Sequence, residues 1–212
     1  MISNGIDVAK LAPALWARPA EVPQVIGLLG RIVPIKDVKT FVRTVGIVVA
    51  SLPRVRAQVI GGADEDPEYA RECEALVSAL HLGDQMTFVG HRVPAEVFPK
   101  LGVLMLTSIS EGQPLAILEA FAAGLPCIAT DVGACRELIE GRDEADRALG
   151  AAGRLVPFAD VTALAEAAVK LLTQPDVWQA CQSAGLQRVR AYYDQRFMLG
   201  AYRELYRSAL EK

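Results

Sequence analysis

The chain of 212 residues has no apolar run long enough to span a bilayer. Its longest apolar stretches, Val45–Leu52 and Leu101–Leu106, fall far short of the ~20 residues a transmembrane helix needs. Gly112–Thr130 comes nearest, but Glu119, Gly124 and Pro126 interrupt it, so it reads as two core elements of a soluble domain. Basic clusters are also missing: no stretch holds more than two Lys or Arg within three positions, and the net charge is −3. That excludes the electrostatic footprint of a nucleic-acid-binding protein. The four cysteines (Cys73, Cys127, Cys135, Cys181) show no CxxC spacing and no histidine nearby, which argues against a zinc site. Disulfides are rare in cytosolic chains, so free thiols are expected. Only two histidines occur, His81 and His91, and neither sits beside a serine or cysteine nucleophile, against a triad hydrolase. Gly27-Leu28-Leu29-Gly30 does not fit GxGxxG, which disfavours NAD. Met1–Lys10 lacks the apolar core of a signal peptide, and a cytoplasmic location is expected. Internal repeats and low-complexity tracts are absent.

What remains is an alternation of strand-length apolar runs with helical patterns. Val25–Leu29, Val55–Ile60, Met86–Val89, Val103–Thr107, Pro126–Thr130 and Arg154–Val156 read as strands. Between the first two, Val38, Phe41, Val42, Val45, Val48 and Val49 recur at helical spacing, with Asp37 as the N-cap. Further helices are expected from Pro67 to Leu80, near Pro94, from Pro114 and through Leu138, and the pattern is helical from Asp160 onward. Arg142–Ala148 reads as an exposed charged loop. Six strand–helix units in succession predict a Rossmann-like α/β fold: a doubly wound, six-stranded parallel sheet with helices on both faces. In such sheets ligands bind at the carboxyl ends of the strands, near the switch in strand order. The turns after Gly30, Gly62, Gly90, Thr107 and Thr130 should therefore surround the site.

Three segments at those turns carry candidate chemistry. Gly30–Lys36 places Arg31 and Lys36 five residues apart, between a strand and the start of its helix. Two cations there can flank an anion that also meets the helix N-terminus, although the same pair would serve as surface charges on a loop. Gly90, His91, Arg92 and Val93 close the third strand and could meet a base or sugar edge, or form a solvated loop. Glu111 precedes Glu119 by eight residues, through Gly112, Gln113, Pro114 and Leu115. A lone carboxylate such as Glu119 in so apolar a run costs several kcal/mol if buried without partners, so a hydrogen-bonding network or a hydroxyl-bearing ligand should meet it. The alternative is a carboxylate that escapes to solvent. A paired-carboxylate glycosidase is disfavoured, since Glu119 inside a helix makes a poor general acid without a cleft opposite.

Taken together, Gly30-Arg31…Lys36, Glu111…Glu119 and Gly124…Pro126…Thr130-Asp131-Val132-Gly133 resemble glycosyltransferase family 4 along nearly the whole chain. These are retaining, nucleotide-sugar-dependent enzymes of the GT-B fold. The resemblance implies the C-terminal, donor-binding half of that fold, with residues 1–24 as an interdomain segment around Asn4–Asp7. Residues 25–192 would form the donor domain, and 193–212 a C-terminal helix returning toward an N-terminal acceptor domain. It implies that Arg31 and Lys36 hold the donor diphosphate and stabilise the leaving group, and that Glu119 accepts the ribose hydroxyls. Glu111 would meet the donor sugar, the amides of Gly112–Leu115 the sugar and β-phosphate, and Gly90–Val93 the base. Arg31, Lys36 and Glu111 would be the catalytic residues, and the family needs no metal. Val33–Phe41, Asp64–Tyr69 and Asp131–Leu138 are similar to the subgroup of Pel exopolysaccharide glycosyltransferases, which is associated with UDP-glucose. Ala134-Cys135-Arg136-Glu137 departs from the commoner family pattern of a second glycine and Pro-Glu. The resulting expectation is transfer of a hexose, glucose, from a UDP-sugar to a growing polysaccharide. The fragment alone should be inactive, and membrane polysaccharide-synthase subunits would be its partners. A non-catalytic nucleotide-sugar-binding or scaffolding module is the alternative, and a GT-B epimerase is disfavoured.

Overall fold

The structure, a computed structural model, describes residues 2–11 and 21–210. Part of the expected interdomain segment, residues 12–20, lies outside the described residues. Six strands form one parallel sheet: β1 (Val25–Leu29), β2 (Arg56–Ile60), β3 (Met86–Gly90), β4 (Val103–Leu106), β5 (Cys127–Thr130) and β6 (Gly153–Val156). Their spatial order is β3-β2-β1-β4-β5-β6. The chain first winds outward from β1 to β3 and then restarts on the other side of β1 with β4. The switch point is therefore the crevice between the loops that follow β1 and β4.

Strand periodicity divides the core into two layers. Ile26 and Leu28 of β1, Val103 and Met105 of β4 and Ile128 of β5 face one layer. There they meet α2 (Val38–Ser51), α3 (Pro67–Ala79) and α8 (Val161–Thr173). Leu104, Leu106, Cys127 and Ala129 point the other way. They meet α5 (Leu115–Ala122), α6 (Cys135–Glu140), the short α4 (Pro94–Val97) and the C-terminal half of α9 (Pro175–Tyr192). Because both faces are covered, the central strands are apolar throughout, as parallel sheets require. Three aspartates start the long helices of the first layer. Asp37, Asp66 and Asp160 each accept the backbone N–H three residues ahead, at 3.3, 3.0 and 2.9 Å.

The N-terminal segment meets the junction after α9 on the second layer. Residues 2–7 lead into a turn of helix, α1 (Val8–Leu11), and Ile6 bonds to both Tyr193 O and Gln195 N, at 2.9 and 2.8 Å. From there α10 (Gln195–Leu210) leaves with no buried residue, exposing Phe197, Leu199, Tyr202, Leu205 and Tyr206. No helix among the described residues is long and apolar enough to cross a membrane.

The structure corrects one segment and adjusts another. Arg142–Ala148 is exposed as expected at every position except Asp146, which is fully buried, and it is not all loop, since Glu144–Arg147 form a turn of helix, α7. Asp146 Oδ1 meets Arg188 Nε of α9 at 2.5 Å, and neither side chain has any exposure. Arg188 also donates to the carbonyls of Ile139 (2.8 Å), Gly150 (2.8 Å) and Asp146 (3.0 Å). Helix α5 begins one residue later than expected, because Pro114 keeps an extended ψ of 116° and acts as the N-cap.

Candidate functional site

The loop after β1 is built to aim a cation backward. A 3-10 turn, Pro34–Lys36, ends at Asp37, whose φ of 44° lies in the left-handed region. Few non-glycine residues hold that conformation without support. Here Thr107, just past β4, supplies it: its hydroxyl donates to the carbonyls of Lys36 (3.0 Å) and Asp37 (2.9 Å). The Lys36 stem then lies over Gly30, where an added Cβ would meet its Cε at 3.6 Å. Its ammonium reaches across the switch point to Glu111 Oε1 at 2.6 Å.

Glu111 is fixed from three directions. Ser108 Oγ donates to the same Oε1 at 2.6 Å, and Thr130 Oγ1 donates to Ser108 O, also at 2.6 Å. From the loop between β5 and α6, Ala134 N donates to Gly112 O at 2.9 Å. Gly133, at φ 53°, lies so close that a Cβ would stand 1.8 Å from Glu111 O. Gln113 is tied to the N-terminal segment, accepting Asn4 N at its Oε1 (2.6 Å) and Asn4 Nδ2 at its carbonyl (3.1 Å). The first turn of α5 has no side-chain cap, so its leading N–H groups are available to an anion. Leu115 is about half exposed at this helix start.

Glu119, one turn into α5, is half-buried, and burial pushes its carboxyl above the ordinary carboxylate range. Its carboxylate has no hydrogen bond or ion pair among the described residues, while its backbone carbonyl accepts Ala123 N at 3.0 Å. Cys135, behind Glu111, is a buried thiol pushed up to about 12, first by burial and then by the Glu111 charge. All four cysteines are free and buried.

The remaining candidates occupy the neighbouring strand ends. The β1 and β2 loops touch: Ile32 N donates to Gly62 O at 2.9 Å, and a Cβ on Gly61 would strike Gly30 O. Gly61 N in turn bonds Gly90 O at 3.0 Å, and the His91 ring covers Gly62. Gly90 takes φ 67°, Arg92 turns back onto the His91 carbonyl at 2.8 Å, and Val93 is exposed. Arg31 is exposed and ion-paired with Glu65 in the β2–α3 loop. Sequence reasoning missed Ser108 altogether, and it placed Thr107 and Thr130 beside the site without their hydroxyl contacts. Their signal was faint but present, hydroxyls placed directly after or at the ends of fully buried strands.

Residues 23–174 match the family described as glycosyl transferases group 1. The chain belongs to this family. A mannosyltransferase of lipopolysaccharide core biosynthesis from Rhizobium meliloti, LpsB, is 29% identical over 200 residues, covering 89% of this chain and 54% of the relative. Among solved structures, a sucrose-phosphate synthase from Thermosynechococcus elongatus superposes with a TM-score of 0.83 at 27% identity. The match covers 99% of this group 1 chain and 52% of that one. HepE of Anabaena, solved with UDP and glucose, has the same fold with a TM-score of 0.82 at 19% identity, over 98% of this chain and 56% of its own. The chain thus spans about half the length of the relatives it matches. Their shared architecture is the parallel, doubly covered sheet expected of a GT-B half.

Proposed function

We propose that this chain is the donor-binding half of a retaining hexosyltransferase that takes glucose from UDP-glucose and adds it to a growing polysaccharide. The observation that carries the reading is the Lys36–Glu111 pair at the switch point, beside the uncapped start of α5. A cation and a helix N-terminus together suit a diphosphate. The partnerless, half-buried carboxylate of Glu119 one turn further suits a diol. On this reading Lys36 and Arg31 hold the diphosphate and take up the charge that grows on the leaving group. Arg31 does so by exchanging Glu65 for phosphate. Glu119 accepts the ribose hydroxyls, Glu111 those of the sugar, and the amides of Gly112–Leu115 approach the sugar and β-phosphate. Gly90–Val93 line the base. These cations do the electrostatic work that a metal performs elsewhere, and no metal is required.

The acceptor would be bound by an N-terminal domain, with α10 and residues 1–24 joining the two. The exposed apolar side chains of α10 support that placement, because an amphipathic helix leaves such a stripe uncovered only when something else packs on it. Similarity of Val33–Phe41 and Asp131–Leu138 to the Pel exopolysaccharide transferases supports glucose as the hexose, a cytoplasmic location, and membrane synthase subunits as partners. The chain alone then binds donor and transfers nothing. Calorimetric titration of the chain with UDP, UDP-glucose, GDP and ADP tests the reading. Binding of UDP and UDP-glucose in preference to the purine nucleotides is expected, and absence of nucleotide binding overturns it.

A further inference from the structure

Lys36 is engaged within the chain itself. Its ammonium lies 2.6 Å from Glu111 Oε1, with the Lys36 and Glu111 side chains only 22% and 10% exposed. A diphosphate drawn to Lys36 would share one ammonium with a carboxylate in a poorly solvated place, where like charges repel strongly. Lys36 has a long flexible stem and can follow the phosphate. Glu111 cannot follow Lys36. Its Oε1 is also held by Ser108 Oγ at 2.6 Å, and Ser108 is 1% exposed with its own carbonyl bonded to Thr130. Its backbone is wedged against Gly133.

We propose that donor binding exchanges the partner of Lys36, from Glu111 to the diphosphate, and that Ser108 is the positioning residue that holds the released carboxylate where the donor sugar arrives. The inference rests on the nucleotide-sugar reading above. While the two side chains are paired, each charge neutralises the other. In the filled site the phosphate takes the cation, and Glu111 keeps one oxygen on Ser108 and offers the rest of its acceptor capacity to hydroxyls. Sugar recognition is thereby coupled to diphosphate recognition: a free sugar meets a carboxylate still occupied by Lys36.

Titrations of UDP and UDP-glucose into wild type, Glu111→Gln and Ser108→Ala separate the possibilities. Glu111→Gln should bind UDP severalfold more tightly, because the competing charge is gone, while its affinity for UDP-glucose relative to UDP falls. Ser108→Ala should leave UDP affinity within about twofold and lower the UDP-glucose to UDP affinity ratio by roughly tenfold, the scale of one hydrogen bond to a charged group. Ser108→Cys, which keeps the volume and donates only weakly, gives the same answer should Ser108→Ala not fold. Unchanged or weaker UDP binding by Glu111→Gln overturns the exchange, and an unchanged ratio in the Ser108 variants overturns the positioning role. A wild-type chain that binds neither ligand instead overturns the nucleotide-sugar reading itself.

Discussion

Two ion pairs in this molecule hold opposite chemical positions. Asp146–Arg188 lies between α7 and α9 with no exposure on either side chain, and Arg188 spends its donors on Asp146 and on backbone carbonyls. Asp146 in turn takes Arg142 N on its second oxygen at 3.1 Å. Lys36–Glu111 is equally short-range but partly exposed and under-subscribed: Glu111 uses one oxygen for two donors, and Glu119 nearby uses none. A buried charge that serves only the fold must be saturated by the chain, since each unmet hydrogen bond costs free energy. A charge set that serves a ligand keeps capacity in reserve. That difference separates scaffold from site more sharply than burial does.

Substitutions in the two pairs should therefore fail in different ways. Arg188→Ala strands Asp146 in the core and should cost about 3–5 kcal/mol of stability, the usual penalty for breaking a buried pair from one side. Urea denaturation measures it, and the loss should appear without any ligand. Lys36→Ala should cost roughly 1.5–3 kcal/mol of UDP affinity, the worth of a charge-assisted contact. Its urea midpoint should stay near wild type, because the Glu111 carboxylate left behind keeps the Ser108 hydroxyl as a donor. Gly133→Ala meets both a left-handed φ and the Glu111 carbonyl. The backbone alone costs about 1–2 kcal/mol, and a displaced Glu111 should weaken UDP-glucose more than UDP in calorimetry.

The smallest effect is a pH dependence at Glu119. Burial raises its folded-state pKa above the ordinary value of 4.5. Over the window between those values the folded chain binds more protons than the unfolded one, so stability falls as pH rises through it. Glu119→Gln removes that slope. Wild type should lose stability relative to Glu119→Gln as the pH climbs from about 4.5 through the raised value, in urea melts at a series of pH values.

Much of the fold was legible because its signals are local. Short apolar strands closing on glycine at Leu29-Gly30 and Ile60-Gly61, the Asp37 cap and the prolines at Pro67 and Pro94 mark boundaries within a few residues of themselves. Parallel winding then forces the loops after β1 and β4 together, which is why Lys36 and Glu111 could be assigned to one site in advance, though not their direct contact. What stayed hidden depends on distant partners. Asp146 sits in a string of charges that looks solvated, and only Arg188, on another helix, explains its burial. Thr107, Ser108 and Thr130 read as ordinary strand ends until the sheet sets their hydroxyls against the Lys36–Glu111 loops. Arg31 has a partner of its own, Glu65, which nothing near it in the sequence announces.

The central claim is that the open charges at the switch point exist for a nucleotide diphosphate and its ribose. Its most direct test is UDP titration of wild type beside the Lys36→Ala/Glu119→Ala double variant, with the urea midpoint of each. The account predicts a UDP affinity lowered by about a hundredfold or more, from two lost contacts of the size given above, at an unchanged or raised midpoint. A folded double variant that binds UDP as tightly as wild type would contradict it.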